Sequence, residues 1–430
     1  MSHIAAKSAF KSLEERINKF PQGAPPSESL YKILSILFSE KEAALVAQLP
    51  IKPFTVKTAS KIWNINESEA HKILDGLASR AILLDVESKG VLQYMLPPPM
   101  AGFFEFSMMR TRNDIDQKLL AELFHQYMNV EEDFIKELFL SAETRMGRVF
   151  VQEAVLTNND EVQILDYERA SHIIKTAENI GISMCYCRHK MEHMNKACDA
   201  PSDICMTFGN TAASLIKHQY ARKVDAHEGI ELLHLAYEKN LVQCGENVRQ
   251  GVSFICNCCG CCCEGLIAAR KFGMLHPVQT TAFLPKINND SCTKCGLCVK
   301  ACPIGAIEAV ETQDQWGNKH KEIIINEEVC LGCGVCVRSC FKQSIKLQRR
   351  QEKIITPVNS VHRVVLMAIE KGQLQDLIFD NKALGSHRAM AAILGVILKL
   401  PPVKQAMASK QLKSVFLDNL ISKAAKPRIY

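Results

Sequence analysis

Cys292-Thr293-Lys294-Cys295-Gly296-Leu297-Cys298 is followed, after three residues, by Cys302-Pro303. Thirty-eight residues on, Cys330-Leu331-Gly332-Cys333-Gly334-Val335-Cys336 is followed, again after three, by Cys340. Both runs read C-x2-C-x2-C-x3-C. Three sulfurs in one tight turn can grip one face of a metal centre, and a fourth, displaced sulfur is left to reach elsewhere. A zinc site is the plain alternative, but its cysteines usually come as two C-x2-C pairs with a long gap between them. Gly296, Gly332 and Gly334 lie inside the loops, where a missing Cβ lets backbone amides come close to sulfur.

In this spacing, residues of about 286–350 resemble a bacterial-type two-[4Fe–4S] ferredoxin domain. The resemblance implies one cluster on Cys292, Cys295, Cys298 and Cys340, and a second on Cys330, Cys333, Cys336 and Cys302. Pro303 follows its cysteine as in that family, whereas Phe341 stands where the second proline is expected. The flanks repeat as well: Ile304-Gly305-Ala306-Ile307 is echoed by Ser344-Ile345. Between the runs, Glu322 to Asn326 reads as a short strand after a turn near Gly317-Asn318.

The chain has 430 residues, 47% of them hydrophobic and 23% charged, which leaves room for roughly three domains with ordinary cores. Nineteen cysteines in ligand-like clusters, with no apolar leader over Met1 to Lys19, point to metal rather than disulfides and to a cytoplasmic location. The longest apolar run, Ala389 to Leu398, is too short to span a membrane. The net charge of +6 is uneven, because residues 341–430 carry 16 Lys/Arg against 5 Asp/Glu. Such a basic segment suits nucleic acid, an anionic membrane surface, an acidic protein face or plain solvent.

The expected fold class is α+β and multidomain. Residues 1–100 read as a winged-helix-like domain, with helices at Ser29–Ser39, Glu42–Leu49, Thr55–Trp63 and Glu67–Arg80. A hairpin wing of Ile82–Val86 and Val91–Met95 follows. The helix in the recognition position opens with Glu67 and Glu69, which repel phosphate, so DNA is not the expected partner. Residues 101–165 read as a helical connector beginning in aromatics (Phe103, Phe104, Phe106) that suit packing, with helices near Asp114–Tyr127 and Glu131–Leu140. Residues 351–430 read as a basic helical segment, with helices at Ser360–Lys371, Leu374–Phe379, Ser386–Leu398 and Lys410–Ser422.

Residues 166–285 form a second cysteine-rich region. Cys185, Cys187, Cys198 and Cys205 supply four thiols within 21 residues, enough for a further cluster or an all-thiolate zinc. Cys256-Asn257-Cys258-Cys259-Gly260-Cys261-Cys262-Cys263 packs six thiols into eight residues after an apparent strand at Gly251–Ile255. Neighbouring side chains of a strand point apart, so these cannot all face one centre without a turn at Gly260. Either some of Cys256, Cys258, Cys259, Cys261 and Cys262 ligate beside the first four, or several are buried structural thiols. Cys244 reads as a core thiol. Arg188 adds a positive charge near Cys187, and His189 and His193 are secondary candidates.

No G-x-G-x-x-G after a strand, P-loop or G-x-S-x-G elbow appears, so no nucleotide or small-molecule substrate announces itself. The layout resembles the larger ferredoxin-containing proteins of anaerobic prokaryotes. That resemblance implies a single-electron carrier, or the electron-entry subunit of an oxidoreductase, that serves a redox partner protein. The alternatives are a redox-sensing winged-helix regulator and a reductase with substrate at the 185–263 site.

Overall fold

In the computed structural model of this chain, the described residues are 2–156, 165–313, 319–351 and 354–378. The turn near Gly317-Asn318, the end of the helix at Phe379, the helices expected at Ser386–Leu398 and Lys410–Ser422, and the apolar run Ala389–Leu398 lie outside them. Among the described residues, no helix is long and apolar enough to cross a membrane.

Two compact units emerge. The described parts of Met1–Thr144, Ala213–Ala221 and Pro357–Tyr430 form the first. After the helix Ser2–Ile17 come four short capped helices. Ser27, Ser39, Thr55 and Asn66 each accept a backbone hydrogen bond at the start of Glu28–Leu37, Glu40–Val46, Val56–Trp63 and Glu67–Ala78. Asn64 ends the third in the left-handed region (φ 54°), which makes the tight turn into the fourth. Strands β1 (Leu84–Ser88) and β2 (Val91–Met95) pair antiparallel across Lys89-Gly90. Leu30, Ile33, Leu34, Leu74, Leu77 and Tyr94 are buried. The aromatic segment packs inside the same unit: Phe103 meets Phe104 edge-on at 4.8 Å, and Phe104 meets Phe124 at 5.1 Å.

Asp85 on β1 is a buried charge of this unit. It accepts from Ser214 Oγ at 2.6 Å, lies 3.1 Å from His218 Nε2, and pairs with Lys217. Burial opposes its ionisation, but bonds from His218, Lys217 and Ser214 outweigh that and hold the carboxyl well below the usual range. The lowered pKa stabilises the folded state above about pH 4, and this contribution is lost as pH falls below that toward the folded value. Asp85→Ala is expected to cost about 3 kcal/mol, because it leaves its partners unpaired. Hydrogen exchange in Leu84–Ser88 should then speed up by about a hundredfold; unchanged exchange there would mean the cluster contributes nothing.

Arg145–Ala212 and Arg222–Thr356 form the second unit. The cysteine-rich stretch and the repeated cysteine runs, read from sequence as separate segments, therefore share one unit. Its centre is a six-stranded antiparallel sheet of β3 (Gly147–Val149), β4 (Ile180–Met184), β5 (Asp203–Phe208), β6 (Arg222–Val224), β7 (Val242–Glu246) and β8 (Phe254–Cys258), in the order β3-β7-β8-β5-β4-β6. A helix at Ala170–Thr176 leads into β4. The helix at Ala226–Glu238 is capped by Asp225, which accepts from the Glu228 amide.

Residues Phe283 to Arg349 add two ribbons. β9 (Phe283–Ile287) pairs with β12 (Ile345–Arg349), and β10 (Ile307–Gln313) pairs with β11 (Lys319–Ile325). The first strand of each half thus pairs with the second strand of the other. A duplicated sequence folds into interlocked halves.

Candidate metal centres

The two cysteine loops follow one backbone path. Lys294 and Gly296 in the first have φ of 57° and 76°, and Gly332 and Gly334 in the second have 70° and 87°. Gly305 and Gln343, each three residues beyond the displaced cysteine, repeat the pattern at 71° and 51°. Left-handed residues at these points turn three successive sulfurs inward. Surroundings explain why lysine serves in one loop and glycine is needed in the other. Lys294 is exposed, whereas a Cβ on Gly332 would strike the Phe283 carbonyl and the Thr281 hydroxyl.

Each loop, with the remote cysteine of the other half, surrounds a small cavity. Cys292, Cys295, Cys298 and Cys340 line the first, with Ile345 and Phe341 at its wall. Cys302, Cys330, Cys333 and Cys336 line the second. Residues 291–344 match the 4Fe-4S dicluster domain family. The chain is thus an iron–sulfur protein that carries [4Fe–4S] clusters. None of the curated proteins matches it, nor does any solved structure.

The dicluster domain suits such clusters chemically. Four soft sulfurs face each cavity, and amides point at them: Ala306 N donates to Cys302 Sγ at 3.2 Å, and the Gly332 and Val335 amides donate to Cys330 and Cys333. Burial pushes the Cys298, Cys330, Cys333 and Cys336 thiols up, so metal must displace their protons on binding. The two cavities differ in setting. Cys295 and Phe341 are exposed beside the first, while Cys330, Cys333 and Cys336 beside the second are buried. Phe341, the departure from the expected proline, lines the first cavity beside Cys340 and stands 63% exposed.

The remaining eleven cysteines belong to the six-stranded sheet and its loops. Cys198, Cys259, Cys261 and Cys262 have sulfurs all within 4.8 Å of one another, and among the described residues they are a set able to hold a metal ion. Cys198 Sγ lies 3.5 Å from Cys259 and 3.9 Å from Cys262. Hydrogen bonding from Cys262 draws the Cys259 thiol down to about 5 against the opposing effect of burial, and Arg188 helps. Desolvation pushes Cys261 up to about 11.

The structure therefore regroups the Cys185, Cys187, Cys198 and Cys205 set read from the sequence. β4 leads to Cys185, β5 carries Cys205, and Cys198 sits in the loop between them, facing Cys259 instead. Nor does the strand stop at Ile255: it runs through Cys258, because Cys256 and Cys258 pair with β7. Cys244, read as core, contacts Cys258, and Cys263, absent from the candidate ligands, contacts Cys187 and Cys258. Strand pairing places Cys244 opposite Cys256, while Cys263 lies beyond the strand at the start of the helix Glu264–Lys271, and no local spacing could have shown either contact. The rings of His189 and His193 meet at a 42° tilt with centroids 4.7 Å apart, and their Nε2 atoms lie 3.1 Å apart.

Arg188 is 1% exposed and donates to the carbonyls of Pro201 (2.8 Å) and Asn257 (2.7 Å). Desolvation opposes its charge, but the sulfurs of Cys185, Cys259, Cys205 and Cys258 hold it protonated. Next to Cys263, Glu264 pairs with the fully buried Lys190.

Proposed function

We propose that this chain is a single-electron carrier, or the electron-entry subunit of an oxidoreductase, in which the dicluster domain feeds the cysteine-rich sheet of the same unit. On this reading Cys292, Cys295, Cys298 and Cys340 hold the outer cluster and Cys302, Cys330, Cys333 and Cys336 the inner one, with Cys198, Cys259, Cys261 and Cys262 holding a third. Bound clusters supply one-electron redox chemistry at such sites. The observation that carries the reading is the continuity of sulfur from the inner cavity to the sheet. Cys330 and Cys333 pack in one apolar cluster with Cys258 and Cys263, and Cys244 lies within electrostatic reach of Cys333.

At the surface, Lys294, Lys300, Arg338, Lys342 and Lys346 are exposed on the dicluster domain, a setting suited to an acidic redox partner. The winged-helix-like part of the first unit serves docking rather than DNA on this account, since Glu67 and Glu69 are exposed at the start of its helix.

Anaerobic reductive titration of the full chain tests the reading. Stepwise uptake of at least two electrons per chain, with reversible bleaching of the cluster absorbance, is expected for a protein with two or more one-electron centres. Specific DNA binding at physiological salt, with the affinity switched by oxidation, would instead favour a regulator.

A further inference from the structure

Seven cysteines remain once the dicluster domain and the four-sulfur group are set aside. They are not scattered. Cys244 on β7 lies directly across from Cys256 on β8. Met206 pairs with Ile255, so one step further along the same ladder Cys205 on β5 lies across from Cys256 on the other side. Cross-strand partners point to one face of a sheet, and residues two apart on a strand share that face, which adds Cys258. The opposite face carries Ile182, Met206 and Ile255, which are buried in the apolar core of the unit. The sheet thus carries hydrocarbon on one side and, on the other, these sulfurs beside Val149 and Val242.

Two helix starts complete the group. Cys185 and Cys187 open the helix Tyr186–His193, and Cys263 caps the helix Glu264–Lys271. Thiol contacts then close a ring: Cys187 to Cys185, Cys185 to Cys205, Cys205 to Cys256, Cys256 to Cys258, Cys258 to Cys263, and Cys263 back to Cys187. Cys244 joins at Cys258. Packing alone does not call for a closed ring of sulfurs, since weak S–H bonds give little stability in return for displaced apolar contacts.

We propose that Cys185, Cys187, Cys205, Cys244, Cys256, Cys258 and Cys263 together hold one further iron–sulfur centre, separate from the four-cysteine group and richer in thiolate than a cube. A [4Fe–4S] cube takes one thiolate per iron, so seven sulfurs in one connected set imply more than four irons or thiolates that bridge irons.

Native mass spectrometry of the anaerobically isolated full chain tests this without any substitution. The dicluster domain and the four-cysteine group account for about twelve irons, so a mass carrying more than about twelve is expected. Cys205→Ser with Cys256→Ser should bring the count down to about twelve, while Cys198→Ser with Cys259→Ser should remove only about four. A wild-type mass that stops at about twelve irons, or zinc in place of the surplus iron, overturns the proposal. So does an iron count unmoved by the Cys205 and Cys256 pair. If that pair does not fold, the wild-type mass decides alone.

Discussion

Gly332→Ala is expected to empty the inner cavity of the dicluster domain, with a loss of about four irons per chain, while Gly296→Ala keeps them. Both glycines are left-handed, at φ of 70° and 76°. Alanine therefore costs each about 1–2 kcal/mol in backbone strain. At Gly296 nothing lies within 4 Å of the added carbon. At Gly332 the carbon runs into the Phe283 carbonyl and the Thr281 hydroxyl, which itself donates to the Gly332 carbonyl at 2.8 Å. Overpacking against backbone adds about 1–3 kcal/mol, and the loop relieves it by moving Cys330 and Cys333 out of place. Iron content and cluster absorbance of the two variants, prepared side by side, check the contrast. Equal iron in both would show that the Phe283 contact does not govern the loop.

The second large effect is expected at Gly260, within the run of six cysteines. Its missing Cβ leaves room for the Pro303 carbonyl, which also accepts from Arg270 Nη2 at 2.7 Å. Gly260→Ala pushes that carbonyl away, and with it the chain next to Cys302. Overpacking of about 1–3 kcal/mol combines with weakening of a charged hydrogen bond of about 1.5–3 kcal/mol. A fall in melting temperature, with iron lost from both the four-cysteine group and the inner cavity, is the expected result. Gly76→Ala is the control: its carbon meets nothing within 4 Å in a helix interior, so it should stabilise by about 0.5–1 kcal/mol. If the two variants melt alike, the contact between the cysteine run and the dicluster domain carries no energy.

Legibility in the sequence followed locality. The crossed cysteine sets followed from the resemblance that the spacing within one stretch carries, and the same cysteines line the two cavities. The N-terminal helices were legible through the helical spacing of their apolar residues, and the hairpin β1–β2 through its polar turn. The sheet thiols were not. Cys205, Cys244 and Cys256 are far apart in the chain and meet only through strand register, a property of three strands together. Cys198 looked like a partner of Cys185 by proximity in sequence, yet the turn between β4 and β5 sends it to Cys259. The role of Arg188 was half visible: its nearness to Cys187 was plain, but not that β8 would bring Cys258 and Cys259 within its field.

The most direct measurement of the central claim is the iron count of two double variants of the full chain, isolated without oxygen. Cys292→Ser with Cys340→Ser removes two ligands from one predicted cluster, so about four irons should go and the inner cluster should keep its spectrum. Cys292→Ser with Cys302→Ser removes one ligand from each, so both dicluster spectra should change. If the first pair disturbs both clusters and the second only one, or if the unaltered chain holds zinc and no iron, the crossed arrangement of thiolates around iron is wrong.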